Sequence, residues 1–299
     1  MGNGKTACVF GGQGRLGKWF MRFFQEQGYV TDCYDVGDFR PLSHVASSSD
    51  MLVSAVPHPE APALWRSVQQ HAKANTIFID LSSVKTHVAE SLIGRGETSL
   101  LLHPMWSPQV PTMRGQVLIC CELPGCLPST RAVLRDFVQA GVDLVTLTVE
   151  EHDRLMSQIQ VVTHSLLIAS GLAYARSGYS AEQFAQTESP VYRVLSALVG
   201  RLLSHGPQVY ADIAFENPYS EEAMRVLHEV VGDLTGIVAT RDREHYYELF
   251  KEVYDHRARL ISNSVRDSAL VVDVLSTVGR DCGNESLSQS SRYTEDTKC

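Results

Sequence analysis

"TACVFGGQGRLGKWFMRFFQEQG", residues 6–28, decides how the chain begins to fold. Thr6–Phe10 is a short apolar run that ends in glycines, which predicts a strand followed by a tight turn. Leu16, Phe20, Phe23 and Phe24 then recur at helical spacing, and Gly28 is placed to stop that helix. Between strand and helix lies Gly12-Gln13-Gly14-Arg15-Leu16-Gly17. Asp35 follows 18 residues after Gly17, at the end of a second strand pattern, "YVTDCYD" (29–35). Strand, G-x-G-x-x-G, helix and a later acidic residue together form the dinucleotide-binding fingerprint. The glycines let backbone approach a pyrophosphate, which the helix N-terminus attracts. A carboxylate at Asp35 accepts from a ribose 2′-hydroxyl and repels a 2′-phosphate, which favours NAD; Arg40, nearby in sequence, keeps NADP open.

The pattern continues outward. "DMLVSAVP" (50–57), "NTIFIDLSS" (75–83), "TSLLLHP" (98–104), "GQVLICCEL" (115–123) and "DLVTLTV" (143–149) are apolar runs, with helical "APALWRSVQQHAKA" (61–74) among them. Strands alternating with helices predict a parallel sheet covered on both faces. From about residue 150 the period turns helical: "EEHDRLMSQIQVVTHSLLIASGLAYAR" (150–176) opens on acidic residues, as a helix N-terminus favours. The expected fold is an α/β N-terminal Rossmann-type dinucleotide-binding domain, 1–149. An all-α C-terminal dimerisation and substrate domain, 150–279, follows it, and a polar tail, 280–299, is expected to lack order. The broad apolar faces of the later helices predict packing against a second copy of the chain.

The composition bounds the partners. With 44% hydrophobic and 20% charged residues and a formal net charge of −8, the chain reads as globular and unsuited to nucleic acid or an anionic membrane. No uninterrupted apolar run approaches the roughly 18 residues of a membrane span. Seven scattered cysteines, without a secretory signal, point to reduced thiols and a cytoplasmic location. Cys120-Cys121 read as packing residues. "MGNGKT" (1–6) fits the myristoylation pattern through Gly2 and Thr6, although the first strand begins almost at once. No His-Glu-x-x-His or paired Cys-x-x-Cys suggests a metal.

"LLLHPMWSPQV" (100–110) raises the question of chemistry, because an apolar strand pattern ends on His103. Either His103 is a core histidine or the strand holds it at the mouth of a cleft. In the second half, Gln160 and His164 are four apart on one helix face, and Arg193 and Arg201 sit in otherwise apolar stretches.

The combination "GGQGRLG", "SAVP", "DLSSVK", "HPMW", "EEHDRLMSQIQVVTH", "SPVYRVLSALVGRL" and "QVYADI" resembles the prephenate dehydrogenases. The likeness is strongest to the dehydrogenase part of the enterobacterial-type enzyme that also carries chorismate mutase. It runs from "VFGGQGRLG" to about "VYDHRA". The resemblance implies NAD as cofactor, held by Gly12, Gln13, Gly14, Arg15, Leu16, Gly17, Asp35, Val56 and Pro57. It implies a small anionic substrate and a homodimer through the helical domain. His103 matches the catalytic histidine, and Ser83 and Lys85 match positions beside nicotinamide and substrate. Arg201 matches an arginine that holds a substrate carboxylate. Arg193 and Gln160 flank the pocket, and His164 matches a histidine linked to ligand binding.

One loop departs from the family pattern. Ser107 stands where a glycine, and Gln109 where an acidic residue, commonly follow "HP", so Gln109 is expected to border the substrate. The departure leaves prephenate, 4-amino-4-deoxyprephenate and arogenate open as substrates. A non-catalytic NAD-binding regulator needs only the glycines and Asp35, not His103, Ser83, His164 and Arg201. β-Hydroxyacid dehydrogenases of similar build use a helix lysine, which residues 150–176 lack.

Overall fold

The computed structural model describes residues 4–277. The 280–299 tail, Gly2 and the last two residues of the expected helical domain lie outside the described residues.

Seven strands form one sheet: β1 (Thr6–Phe10), β2 (Val30–Tyr34), β3 (Met51–Ser54), β4 (Ile77–Asp80), β5 (Ser99–Pro104), β6 (Val117–Glu122) and β7 (Asp143–Leu147). Their order is β2-β1-β3-β4-β5-β6-β7. Every neighbouring pair is parallel except β5 and β6, which are antiparallel. The expected parallel sheet is thus parallel-rich. The reason lies after His103: the chain returns to β6 through a loop without a helix, and a direct return pairs strands antiparallel. A crossover helix would have kept them parallel.

Helices cover both faces. α1 (Arg15–Glu26), α2 (Leu42–Ser48), α3 (Ala61–Val68), α4 (Thr86–Ser91) and α5 (Pro128–Gln139) divide between two cores. On one face Trp19, Phe20, Phe23 and Phe24 of α1 meet Phe137 of α5 over Val9, Val53 and Leu102. Phe23 and Phe137 stack with centroids 4.5 Å apart. On the other face Val45, Trp65 and Val88 pack over Phe10, Leu52 and Leu101. Successive strand residues point to opposite faces, so Cys120 enters the first core and Cys121 the second.

After β7 the described chain is helical. α6 (Val149–Met156) starts at a capping box between Thr148 and Glu151. A π-helical turn (Ser157–Val162) joins it to α7 (Thr163–Ala175). α8 (Ala181–Thr187), α9 (Pro190–Leu203), α10 (Gln208–Glu216), α11 (Ser220–Thr240), α12 (Arg243–Arg257) and α13 (Ile261–Thr277) follow. By contacts the chain forms two compact units. One holds the sheet, the chain through Ser170 and Leu202–Gly236; the other holds Gly171–Arg201 and the chain from Ile237. The run Val149–Ala175 has the length and mean hydropathy, 1.3, of a membrane-crossing helix. Its first turns are tied to the sheet unit by charged and polar side chains, as described next.

Candidate active site

Because β1 to β5 are parallel, their C-terminal ends share one edge, where α/β sheets bind ligands. The chain leaves β1 toward β2 on one side and returns to β3 on the other, so a crevice opens between them. Its cleft, about 450 Å³, is lined by Gly11, Tyr34, Asp35, Val56, Pro57 and Leu64 among others. The glycine loop is tightly packed. A Cβ on Gly12 would lie 2.4 Å from the Cys33 Cβ, and one on Gly17 would lie 2.2 Å from the Gly11 carbonyl. A Cβ on Gly14 would have only the Gly11 carbonyl nearby, at 3.2 Å, so its outer side is open. Gly14 caps α1 without a side-chain hydrogen bond, and no acidic residue occupies the first turn. That helix end therefore presents backbone N–H groups to an anion.

Asp35 follows β2. Its carboxylate accepts from the backbone N–H of Gln13 at 2.9 Å and of Val36 at 2.9 Å. Lone pairs remain for ribose hydroxyls. Arg40 pairs with Asp38 and with Asp32. Hydrogen bonds that it donates to these carboxylates raise its pKa. The basic group that kept a 2′-phosphate open is committed to two neighbours.

His103 is next to last in β5 and 4% exposed. Its Nδ1 lies 2.8 Å from the Nε2 of His152, whose Nδ1 lies 2.7 Å from the Asp153 carboxylate. The Gln160 amide nitrogen approaches His103 Nε2 at 3.4 Å. These contacts set the protons. Asp153 accepts from His152 Nδ1–H, so His152 Nε2 is bare and accepts from His103 Nδ1–H. The lone pair of His103 is then on Nε2, the atom beside Gln160. Burial, with His152, Lys85 and His58 nearby, holds the His103 pKa well below its ordinary value. Burial also lowers His152, against the pull of Asp153. Burial would raise the Asp153 pKa, but hydrogen bonds from His152, Thr86 and the Lys85 backbone lower it on balance.

Asp153 is held on every side. It accepts from the backbone N–H of Lys85 and Thr86 and from Thr86 Oγ1 at 2.6 Å. Its carbonyl accepts from Asn217 Nδ2 at 2.8 Å, at the turn between α10 and α11. The capping box at Thr148 fixes where α6 begins, which puts His152 and Asp153 in its early turns, facing β4 and β5. The π-helical turn then carries Gln160 to His103; such turns recur at functional sites.

The structure sorts the remaining expected residues. Ser83 is half-buried in the bend after β4. Lys85 departs from the expectation that it binds substrate. It is fully buried, and its Nζ donates to the carbonyls of Ser82 and Leu102 and lies 3.5 Å from Asp80 Oδ1. An ammonium has three N–H groups; the two carbonyls take two of them, and Asp80 is its ion-pair partner. Gln109, expected to border the substrate, is exposed and accepts from Ser107 Oγ at 3.1 Å within its own loop. His164 packs edge-on against Tyr210, with Nδ1 buried and without a protein partner. Arg193 and Arg201 belong to the other compact unit. There Arg193 donates to the Leu275 carbonyl at 2.6 Å and lies 3.6 Å from Glu188; Arg201 is exposed near the end of α9.

His152 and Asp153 were not singled out from sequence, although both lie in "EEHDRLMSQIQ". The available signal was a histidine-aspartate pair just after an N-cap. Four further buried polar atoms near the strand ends, Ser54 Oγ, His58 Nδ1, Ser82 Oγ and Gln160 Oε1, have no protein partner. Leaving such groups unmet costs about 1–3 kcal/mol each, so the edge is built to meet a polar ligand.

A doubly wound sheet with a glycine-rich turn, an acidic residue after β2 and a buried histidine near the end of β5 defines a fold of the Rossmann class. Comparison narrows this. Residues 148–252 match the family model described as prephenate dehydrogenase, dimerization domain. A "Probable arogenate/prephenate dehydrogenase" of Methanocaldococcus jannaschii is 24% identical, over 84% of this chain and 60% of that one. The chain thus spans less than two thirds of that relative's length. The 4-amino-4-deoxyprephenate dehydrogenase of Streptomyces pristinaespiralis is 27% identical, over 82% of this chain and 88% of that one. The crystal structure of Aquifex aeolicus prephenate dehydrogenase with hydroxyphenyl propionate and NAD+ shares the fold, with TM-score 0.69 at 14% identity. It covers 86% of this chain and 98% of that one. The chain is similar to prephenate-type dehydrogenases over most of its length.

Proposed function

We propose that the protein oxidises prephenate with NAD, releasing carbon dioxide and 4-hydroxyphenylpyruvate. The observation that carries this reading is the His103 Nε2 lone pair, directed by His152 and Asp153, on the sheet edge that bears the dinucleotide loop. Gly12, Gln13, Gly14, Arg15, Leu16 and Gly17 would hold the pyrophosphate, Asp35 the ribose, and Val56 and Pro57 the cleft wall. NAD, when bound, accepts the hydride from C4 of the ring. His103 Nε2 takes the C4 hydroxyl proton as the carbonyl forms, and the charge spreads toward His152, steadied by Asp153. Gln160, beside the same lone pair, donates to the C4 oxygen. Ser83 lies beside nicotinamide and substrate, and His164 contributes to the pocket; for Arg201 the resemblance implies a grip on a carboxylate. Loss of the C1 carboxylate yields an aromatic ring and needs little help.

The residues support this in two further ways. Gly17→Ala is expected to weaken NAD binding at least about tenfold, because its Cβ would displace the turn that presents the N–H groups. Fluorescence titration reads this, and unchanged affinity would take the loop out of the cofactor site. His103 is already neutral below its ordinary pKa, so kcat/KM should stay level as pH falls through about 6.5 and drop only below it. A half-maximum at or above that value in the pH profile contradicts the assignment.

The chain divides functionally into 1–149 for cofactor and 150–279 for substrate and dimerisation. α12 and α13 bury none of their residues within the chain. Phe250, Val253 and Val274, each 60% exposed or more, form the kind of apolar surface a homodimer covers. That partner, rather than a membrane, accounts for the apolar helices. The described cysteines are free thiols, in keeping with the cytoplasm.

A second reading, the same chemistry on 4-amino-4-deoxyprephenate, is favoured by the Streptomyces relative and its coverage. NADH formation at 340 nm with prephenate and with the amino compound decides between them. Higher kcat/KM with prephenate supports the first reading; a tenfold advantage for the amino compound replaces it with the second.

A further inference from the structure

We propose that Lys85 is a positioning residue that locks His103 and His152 in one tautomer, rather than a group that grips substrate. This rests on the reading of His103 as the base. Three separate segments meet at Lys85. Its Nζ donates to the Leu102 carbonyl at 2.9 Å, the residue before His103, and to the Ser82 carbonyl. It also pairs with Asp80 at the end of β4. Asp80 is itself fixed by Trp65 Nε1 at 2.9 Å and by the Ser82 backbone N–H at 2.8 Å. From the other side, the backbone N–H of Lys85 donates to Asp153 at 2.9 Å. One residue thus holds the end of β5 that carries His103 and the carboxylate that orients His152. A shift of about 1 Å between these two segments would break the 2.8 Å contact between the imidazoles, and such misplacements cost about a hundredfold in rate.

The charge has a second consequence. His152 and Asp153 face His103 from α6, Lys85 from the turn after β4, and His58 from the segment after β3; Gln160, from the π-helical turn, is neutral. Lys85 and His58 both disfavour a proton on His103. Of the two, Lys85 is the one that also touches the strand carrying His103, through the Leu102 carbonyl.

The test replaces Lys85 by methionine, which keeps length and burial and removes the charge. In full-length protein with ¹⁵N-labelled histidine, NMR reads the tautomer and titration of His103 without substrate. The expected result is a rise in the His103 titration by about one pH unit and loss of the single Nδ1–H signature. Turnover should fall about a hundredfold, with KM changed less than threefold. An unchanged titration and tautomer, or a KM raised tenfold at normal kcat, overturns the proposal in favour of substrate binding. Because NMR needs no turnover, inactivity toward every substrate would count against the proposed function alone. If Lys85→Met does not fold, Asp80→Asn serves: Lys85 keeps both carbonyl acceptors, so His103 should keep its tautomer and titrate no higher. A higher titration there also overturns the proposal.

Discussion

Replacing His103 by asparagine is expected to lower kcat by about 10²–10⁴-fold and to leave KM nearly unchanged. That is about 3–5 kcal/mol of transition-state stabilisation, the usual worth of a well-placed general base. The lone pair on Nε2 is what the variant loses; an amide has no comparable basicity at neutral pH. Substrate grip is expected to survive, because it is assigned to other side chains. Asparagine also fits the space. His103 is buried at the end of a central strand, paired with Ile119 of β6, and a smaller polar residue there disturbs packing less than a charged one would. Steady-state kinetics with the preferred substrate, alongside thermal melting, give the check. Near-normal turnover in a folded variant would remove His103 from the chemistry and return it to the core.

The parts of the site that sequence revealed are those whose meaning is local. Gly12, Gly14 and Gly17 carry their roles in their spacing, and Asp35 follows at a fixed interval because β2 has a fixed length. His103 was conspicuous because a strand pattern stopped on it. What sequence hid depends on distant segments meeting. Lys85 and Asp153 are 68 residues apart, and only the docking of α6 against the turn after β4 gives Asp153 the three donors from Lys85 and Thr86. The resemblance put Lys85 beside nicotinamide and substrate. It is fully buried among Leu102 of β5, Asp80 of β4 and Asp153 of α6, and nothing in "SSVK" announces that. The antiparallel turn of β6 was likewise unreadable, since "GQVLICCEL" has the composition of a buried strand in either direction. Gln109 was inferred from a loop position, and its contact with Ser107, two residues away, is local to that loop.

The same hidden pair yields the second large expected effect. Asp153→Asn should lower kcat by about 10³–10⁴-fold although it removes no atom near the substrate. The reasoning follows the protons. Asp153 Oδ2 accepts from Thr86 N–H and Thr86 Oγ1, so an asparagine would keep its carbonyl oxygen there. Its NH2 would then face His152 Nδ1, which must become an acceptor. The proton on His152 moves to Nε2 and is donated to His103 Nδ1. His103 must in turn carry its proton on Nε2, the atom that has to be bare to take the hydroxyl proton. One amide thus reverses both imidazoles, as a wrong tautomer does in other aspartate-oriented histidines. The NH2 also meets the Lys85 backbone N–H, 2.9 Å from Oδ1, so some stability is lost as well. Histidine ¹⁵N shifts separate the two effects: the expected spectrum shows His103 as the Nε2–H tautomer in a folded protein. A folded Asp153→Asn variant that retains half the original turnover would mean the row of imidazoles does not direct the base.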